Sequence, residues 1–438
     1  MNKEILRLAI PNIISNISVP LLSTVDTALM GRLSEAHIGA VGVGAMIFNF
    51  IYWNFGFLRM GTTGITAQAF GEQSEEKIAH TLGRALLVVL GLSIFIIALQ
   101  WPIGELSFRL MNVADGQLDL VGEYFYIRVW AAPATLGLYA LMGWFFGLQN
   151  AVYPLILTVA INVLNIVLSY VFVHVLGWEV AGVAYGTLLA QYFGLVLGIG
   201  LFFYKYRHFT AFLKREALLQ WGELQRFLTI NLDIFIRTLC LTFAFGFFYS
   251  QSSTQGELIL AANVILLQYL NWMSYGVDGF AFATESLVGK YAGAANRQQT
   301  KRAITLSFVW GMGLAVSFSL LYGFLGIPLL EVFTNKINVI EAARPFLFWM
   351  VLFPVLSTPC YIWDGVFIGL TASKAMRNCM LLSIAVFLGV HYAYGQFNGN
   401  HGLWLTLLVF MVARGIIQAI AYWWAEARSP KEGKIQLK

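Results

Sequence analysis

Twelve apolar runs of roughly 20 to 30 residues make up most of this chain, and short clusters between them hold most of its charge. The runs cover 5–31, 40–69, 79–101, 118–147, 153–176, 182–204, 225–251, 257–286, 301–325, 341–370, 375–396 and 402–425. About 20 apolar residues, rising 1.5 Å each, cross a bilayer core of ~30 Å, so every run is long enough for a transmembrane helix. The strands of a membrane barrel would instead alternate over about 10 residues, and no such segments occur. One interval is longer than the rest: 205–224, KYRHFTAFLKREALLQWGEL, is charged and partly amphipathic. It reads as a cytoplasmic linker lying on the membrane surface. The predicted class is an all-α polytopic membrane protein with an N-lobe over 1–204, that linker over 205–224 and a C-lobe over 225–438, six spans to each lobe.

The first run, Ile5 to Gly31, is interrupted by Pro11 and Pro20 and carries one carboxylate, Asp26. Proline removes a backbone hydrogen bond and clashes with the preceding turn, so a kink is expected here. The run is too long for a secretory signal and lacks a small-residue cleavage site, so it is expected to stay as the first span.

Composition agrees with the pattern. Charged residues are 11% of the chain, against about 25% in soluble domains, so lipid or other helices must surround most of it. The formal charge of +5 implies no nucleic-acid partner, because the basic residues fall between spans. With both termini inside, nineteen Lys and Arg lie in inner segments and four outside (Arg32, Arg109, Lys336 and Arg344). That bias puts both termini in the cytoplasm. The three cysteines, Cys240, Cys360 and Cys379, have neither disulfide nor metal spacing and read as small core residues.

The halves repeat. VWAAPATLGLYALMGWFFGL (129–148) and VLFPVLSTPCYIWDGVFIGL (351–370) match at six of twenty positions without a gap, an offset of 222. At the same offset AQAFGEQ (67–73) falls on GKYAGAA (289–295). A duplicated unit with an even number of spans keeps its orientation, so the two lobes are expected to be related by a pseudo-two-fold axis along the membrane normal.

Five acids lie in or at the edge of the spans: Asp26, Asp233, Asp278, Glu285 and Asp364. Asp26 is ~30 Å above the inner end of its helix, whereas Arg59 is ~15 Å above the inner end of the second, so the two are not expected to pair. An ionisable group in a span marks an ion or proton pathway by default, and the alternative is an outer helix cap facing water. In the C-lobe, Asp233 and Arg237 stand i, i+4 and are expected to form an ion pair. Asp278 and Glu285 are seven apart, and Asp364 and Arg414 lie at similar depth. Four acids against two arginines form an inner-half network that reads either as a structural lock or as a second proton or cation site. On the fifth and sixth spans, Asn162, Asn165, Ser169 and Thr187 can complete a site around Asp26 or merely bond between helices. Part of the aromatic content is expected to line a cavity, where such surfaces suit flat, cationic, apolar ligands.

These residues also carry a resemblance. Pro11 with VDTALMGRL around Asp26, and LRMGTTGITAQAFGEQ (58–73), resemble the start of a MATE (multidrug and toxic compound extrusion) transporter of the DinF branch. LNIVLSY (164–170), GVAYGT (182–187), NLDIFIR (231–237), YGVDGFAFATES (275–286), WDGVFIGLTASKAMRN (363–378) and NGNHGLWLTLLVF (398–410) follow in family order over nearly the whole chain. The resemblance implies an antiporter in the bacterial inner membrane that exports organic cations or amphiphiles in exchange for H+, or for Na+, with no other cofactor. It implies two six-helix lobes, Asp26 as the protonation site, Pro11 as the bending point, and Asn165 and Thr187 as polar pocket positions. One position departs: the branch has NIVLD on the fifth span, and here it is NIVLS, ending at Ser169. A serine carries no proton at physiological pH, which leaves Asp26 as the sole N-lobe acid or shifts coupling to the C-lobe.

The alternative is a lipid or lipid-linked oligosaccharide flippase of the same superfamily. It would favour a strongly cationic cavity, whereas the charge within these spans is mixed. A membrane-embedded transferase would need clustered acids or a His-rich set. The acids are dispersed and the six histidines show no such spacing, so no enzyme is expected. Nothing in the chain demands more than a monomer.

Overall fold

The computed structural model describes the backbone of residues 1–30 and 35–428 and the side chains of residues 1–18 and 37–428. Eleven helices within it are long and apolar enough to cross a membrane: α2 (His37–Gly71), α3 (Glu75–Ala98), α4 (Asp115–Gly147), α5 (Val152–Val175), α6 (Glu179–Phe212), α7 (Trp221–Thr254), α8 (Glu257–Gly293), α9 (Arg297–Phe333), α10 (Ile337–Gly369), α11 (Ser373–Phe397) and α12 (Gly399–Arg428). The first predicted span is helix α1, Asn2–Met30. The chain is thus an all-α polytopic membrane protein of twelve long helices, with no strand among the described residues. A surface helix, Gln100–Leu110, follows α3, and its exposed Trp101, Leu106 and Leu110 suit a membrane interface.

The helices form two compact units, Ile14–Ala69 with Ser74–Phe227, and Met1–Ile13 with Phe70–Gln73 and Leu228–Lys438. In the first unit, α4 lies against α2 through glycines. A Cβ on Gly143 would stand 2.4 Å from the Arg59 carbonyl oxygen, and one on Gly147 would stand 3.0 Å from the Ala67 nitrogen. In the second unit, α10 meets α8 in the same way: a Cβ on Gly365 would stand 2.5 Å from the Ala281 oxygen, and one on Gly369 2.9 Å from the Gly289 nitrogen. Each corresponding residue is 222 positions further along the chain, so the sequence repeat is physically a repeated small-xxx-small helix crossing.

The 205–224 segment, most of it exposed, also packs on its own unit. Its Phe209 is buried edge-on against Trp144, whose indole donates to the Ile78 carbonyl at 2.9 Å. Arg84 on α3 donates to the Ala217 carbonyl at 2.9 Å, and His80 Nε2 lies 3.0 Å from the Phe212 carbonyl oxygen. Apolar side chains every few residues, invisible in a charge count, fold this stretch onto α3 and α4.

Within the second unit, the start of α1 is fastened to α8. Gly279 seats against the Ala9 carbonyl, with Ile13 beside it. Lys290 and Tyr291 donate to the Glu4 carboxylate at 3.1 and 3.2 Å. Partial burial pushes the Glu4 carboxyl up, but the Lys290 bond and charge, the chain's amino terminus and Tyr291 together outweigh it and hold the pKa below the usual carboxylate value.

Candidate functional site

Polar side chains gather inside the spans of each unit. In the first, Asn162 on α5 donates to the Ser18 hydroxyl on α1 at 2.9 Å, which fixes the face of α5 that meets α1. One residue short of a turn further, Asn165 Nδ2 donates to Thr187 Oγ1 on α6 at 2.9 Å, and that hydroxyl donates to the Val183 carbonyl at 3.0 Å. Ser169 follows, fully buried against Gly186 of α6. A Cβ on Gly186 would stand 2.6 Å from the serine hydroxyl, so the missing side chain is what lets the two helices close here.

Two atoms of this cluster are left over. Among the described residues, Asn165 Oδ1 and Ser169 Oγ are buried without a hydrogen-bond partner. Each such atom costs about 1–3 kcal/mol, so a pair on one helix face calls for an explanation. Immediately beyond Tyr170, α5 widens into a π turn, Val171–Val175, and then ends at Gly177, whose φ of +70° suits glycine. Such turns recur at functional sites, and nothing in the apolar pattern announces this one. Asp26, the acid expected beside these residues, lies outside the described side chains. Pro11 sits within α1, which stays helical through it. Next to it, Asn12 Nδ2 donates to the Leu8 carbonyl at 2.9 Å.

In the second unit the charges pair differently from the expectation. The i, i+4 ion pair of Asp233 with Arg237 does not form. Asp233 accepts from Arg377 at 2.6 Å and from the Ser373 hydroxyl at 2.9 Å, both on the first turn and a half of α11. Arg237, one turn along α7, instead reaches Asp364 on α10. Arg414 Nη2 donates to the same carboxylate oxygen at 2.7 Å, and Gln418 Nε2 to the other at 2.7 Å. Sharing a helix face brings two residues near each other without aiming them, and tertiary partners in better geometry win. Both arginines are therefore spent on one acid, and Lys290 is turned to Glu4. Glu285 is buried on α8 and Asp278 is half-buried two turns before it.

Sequence reasoning passed over Arg377, Ser373 and Gln418. A signal existed for each: Ser373 and Arg377 lie in the WDGVFIGLTASKAMRN stretch, and Gln418 follows Arg414 by four in an apolar helix.

Comparison with known proteins places this arrangement in a wider set. The family model described as MatE matches the chain twice, over residues 11–171 and 234–394. The starts are 223 residues apart, so each match takes one copy of the repeat. The chain is 36% identical over 432 residues to the DNA damage-inducible protein F of Escherichia coli strain K12, covering 96% of this chain and 92% of that one. It is 23% identical over 457 residues to the multidrug resistance protein MdtK of Edwardsiella ictaluri, with 99% and 97% covered. The fold matches a structure described as the outward-facing conformation of a multidrug resistance MATE family transporter, at a TM-score of 0.85 and 21% identity over 98% of this chain and 95% of that one. It also matches the Vibrio cholerae MATE transporter VcmN in a bent form, at a TM-score of 0.84 and 18% identity, with 96% of each chain covered.

Proposed function

The chain belongs to the MATE family of multidrug efflux transporters, and on that premise we propose that it exports organic cations or amphiphilic toxic compounds in exchange for protons. The observation that carries this reading is the unfilled pair on α5, Asn165 Oδ1 and Ser169 Oγ. A protonated carboxyl offers one O–H donor and one carbonyl acceptor. It can donate to the amide oxygen and accept from the serine hydroxyl, which satisfies both orphans at once. Ionised, it offers nothing to the amide oxygen. The pair is therefore complementary to an acid that has loaded its proton.

We assign that acid as Asp26. It follows Ser18 by eight residues on α1, and Ser169 follows Asn162 by seven on α5. Both helices cross in the same direction in an alternating chain. From the Ser18–Asn162 bond, the rise is about 12 Å to Asp26 and about 10 Å to Ser169, which supports a common depth. Loss of the proton frees a negative charge for a cationic substrate, and reloading it displaces that substrate. Na+ favours several hard oxygen ligands and negative charge, and with Ser169 in place of a second acid this site favours H+.

In the second unit, a proton arriving at Asp364 or Asp233 would have to displace a guanidinium, which supports a structural role for both. The excess of nineteen inner over four outer basic residues supports an inner-membrane protein with both termini in the cytoplasm. The test is transport of a cationic dye by purified protein in liposomes under an imposed pH gradient, a Na+ gradient, or neither. The proposal expects uphill transport with the pH gradient alone. Equal transport without it would remove proton coupling.

A further inference from the structure

In the orientation proposed above, α12 begins at the outer side of the membrane, and its third residue is His401. Trp349 on α10 donates its indole N–H to His401 Nδ1 at 3.1 Å. An indole nitrogen can only donate, so this Nδ1 is bare and the imidazole is neutral, with its hydrogen on Nε2. The ring of Phe346, one turn before Trp349 on α10, lies 4.6 Å from the imidazole centre. His401 is exposed, so a proton reaches it from water. Both α10 and α11 pack against α12. On the stretches that face its start, the other titratable or charged groups among the described residues are Glu341 and Arg344 of α10 and His391, Tyr392 and Tyr394 of α11. None of these bonds or stacks with His401.

Protonation reverses the first contact. Nδ1 gains a hydrogen, and two N–H donors then face each other where one bond stood. The same charge is attracted to the face of the Phe346 ring, which shares a face of α10 with Trp349. The imidazolium therefore gives up one partner for another a turn away. The neighbouring ties of α12 carry no such exchange. Asn400 and Asn263 of α8 trade two amide hydrogen bonds, at 2.7 and 2.9 Å, and Trp404 donates to the same Asn263 oxygen at 2.9 Å. Further along both helices, Asp364 of α10 accepts from Arg414 and Gln418 of α12. We infer that His401 and Trp349 form a proton-operated tie between the outer ends of α12 and α10, closed at neutral outer pH and released by acid. The bond is complete while the imidazole is neutral and is lost as pH falls and the ring takes its proton. The effect is local, because the amide pair beside it holds the start of α12 to α8 in either state. This goes beyond the export reading and does not involve Asp26: it gives the outer face a second group that responds to the acidity of the medium.

The experiment labels the purified full-length protein with 5-fluorotryptophan and follows its fluorine NMR spectrum from about pH 8 to about pH 5, the range over which imidazoles change charge. The resonance missing from Trp349→Phe is that of Trp349. In wild type it should shift along a single-proton curve. In His401→Gln, whose amide oxygen accepts the indole bond but takes no proton, it should stay fixed. In His391→Gln the titration should persist. If no tryptophan resonance of wild type titrates over this range, the tie is overturned whether or not any variant folds. A Trp349 titration that survives in His401→Gln, or one that disappears in folded His391→Gln, overturns it as well. No transport is measured, so a failure of proton coupling in liposomes cannot be mistaken for failure of the tie.

Discussion

Arg237 and Arg414 converge on Asp364, so losing either leaves the carboxylate one guanidinium and Gln418. Asp233 is more exposed to loss, because Arg377→Ala leaves it only the Ser373 hydroxyl. Arg377 is partly solvated, which tempers the effect, and the expected cost is about 1–3 kcal/mol. Thermal unfolding in detergent across two double-mutant cycles checks the pairing. Asp233 and Arg377 should couple by about 0.5–3 kcal/mol, and Asp233 and Arg237 by less than ~0.5 kcal/mol. The opposite order would restore the pairing that sequence spacing suggests. Position 169 offers another residue-scale test. Ser169→Asp puts a second carboxyl one turn beyond Asn165, and two close carboxylates do not both ionise easily. The pH profile of transport should move to higher pH, whereas an unchanged profile and Na+ response would place residue 169 outside the site. The polar residues themselves were legible, because each stands out in an apolar helix. Their partners were not: Asp233 and Arg377 are 144 positions apart, and only the tertiary fold ranks them above a neighbour four residues away.

Among the elements, the helix crossings rest on glycine. Gly143→Ala and Gly365→Ala each drive a methyl group into a backbone carbonyl that side-chain motion cannot clear. Each should cost about 1–3 kcal/mol and lower the unfolding temperature. Gly246→Ala and Gly313→Ala serve as controls, since nothing lies within 4 Å of either added methyl. Those two should be neutral or stabilise by up to ~1 kcal/mol, because glycine is the poorer helix former. Equal losses at all four positions would mean that the close approach is not what the glycines are for. The duplication could be read in advance from two aligned stretches at one offset, but the glycine crossings it repeats appear only in the packing. The π turn after Tyr170 and the folding of 205–224 onto α3 could not, because both depend on packing rather than on hydrophobic period.

Over the whole chain, the twelve spans were legible because the bilayer sets their length; eleven recur, eight within a few residues of the predicted bounds and three running seven or eight residues further at their C-terminal ends. The duplication was legible too, and the double family match follows it. The first run was read as a kinked span of the N-lobe, and its residues Met1–Ile13 group with the second unit, a division two residues beyond Pro11. Local sequence could mark the weak point but not which unit each side would join. The central claim is that one acid, Asp26, carries the exchanged proton. Wild type and Asp26→Asn, matched for folding and reconstituted with a pH dye inside the liposomes, decide it when substrate is added. Wild type should move protons only while substrate moves, and Asp26→Asn, folded normally, should move none. Substrate-driven proton movement at the wild-type rate in Asp26→Asn would contradict the account.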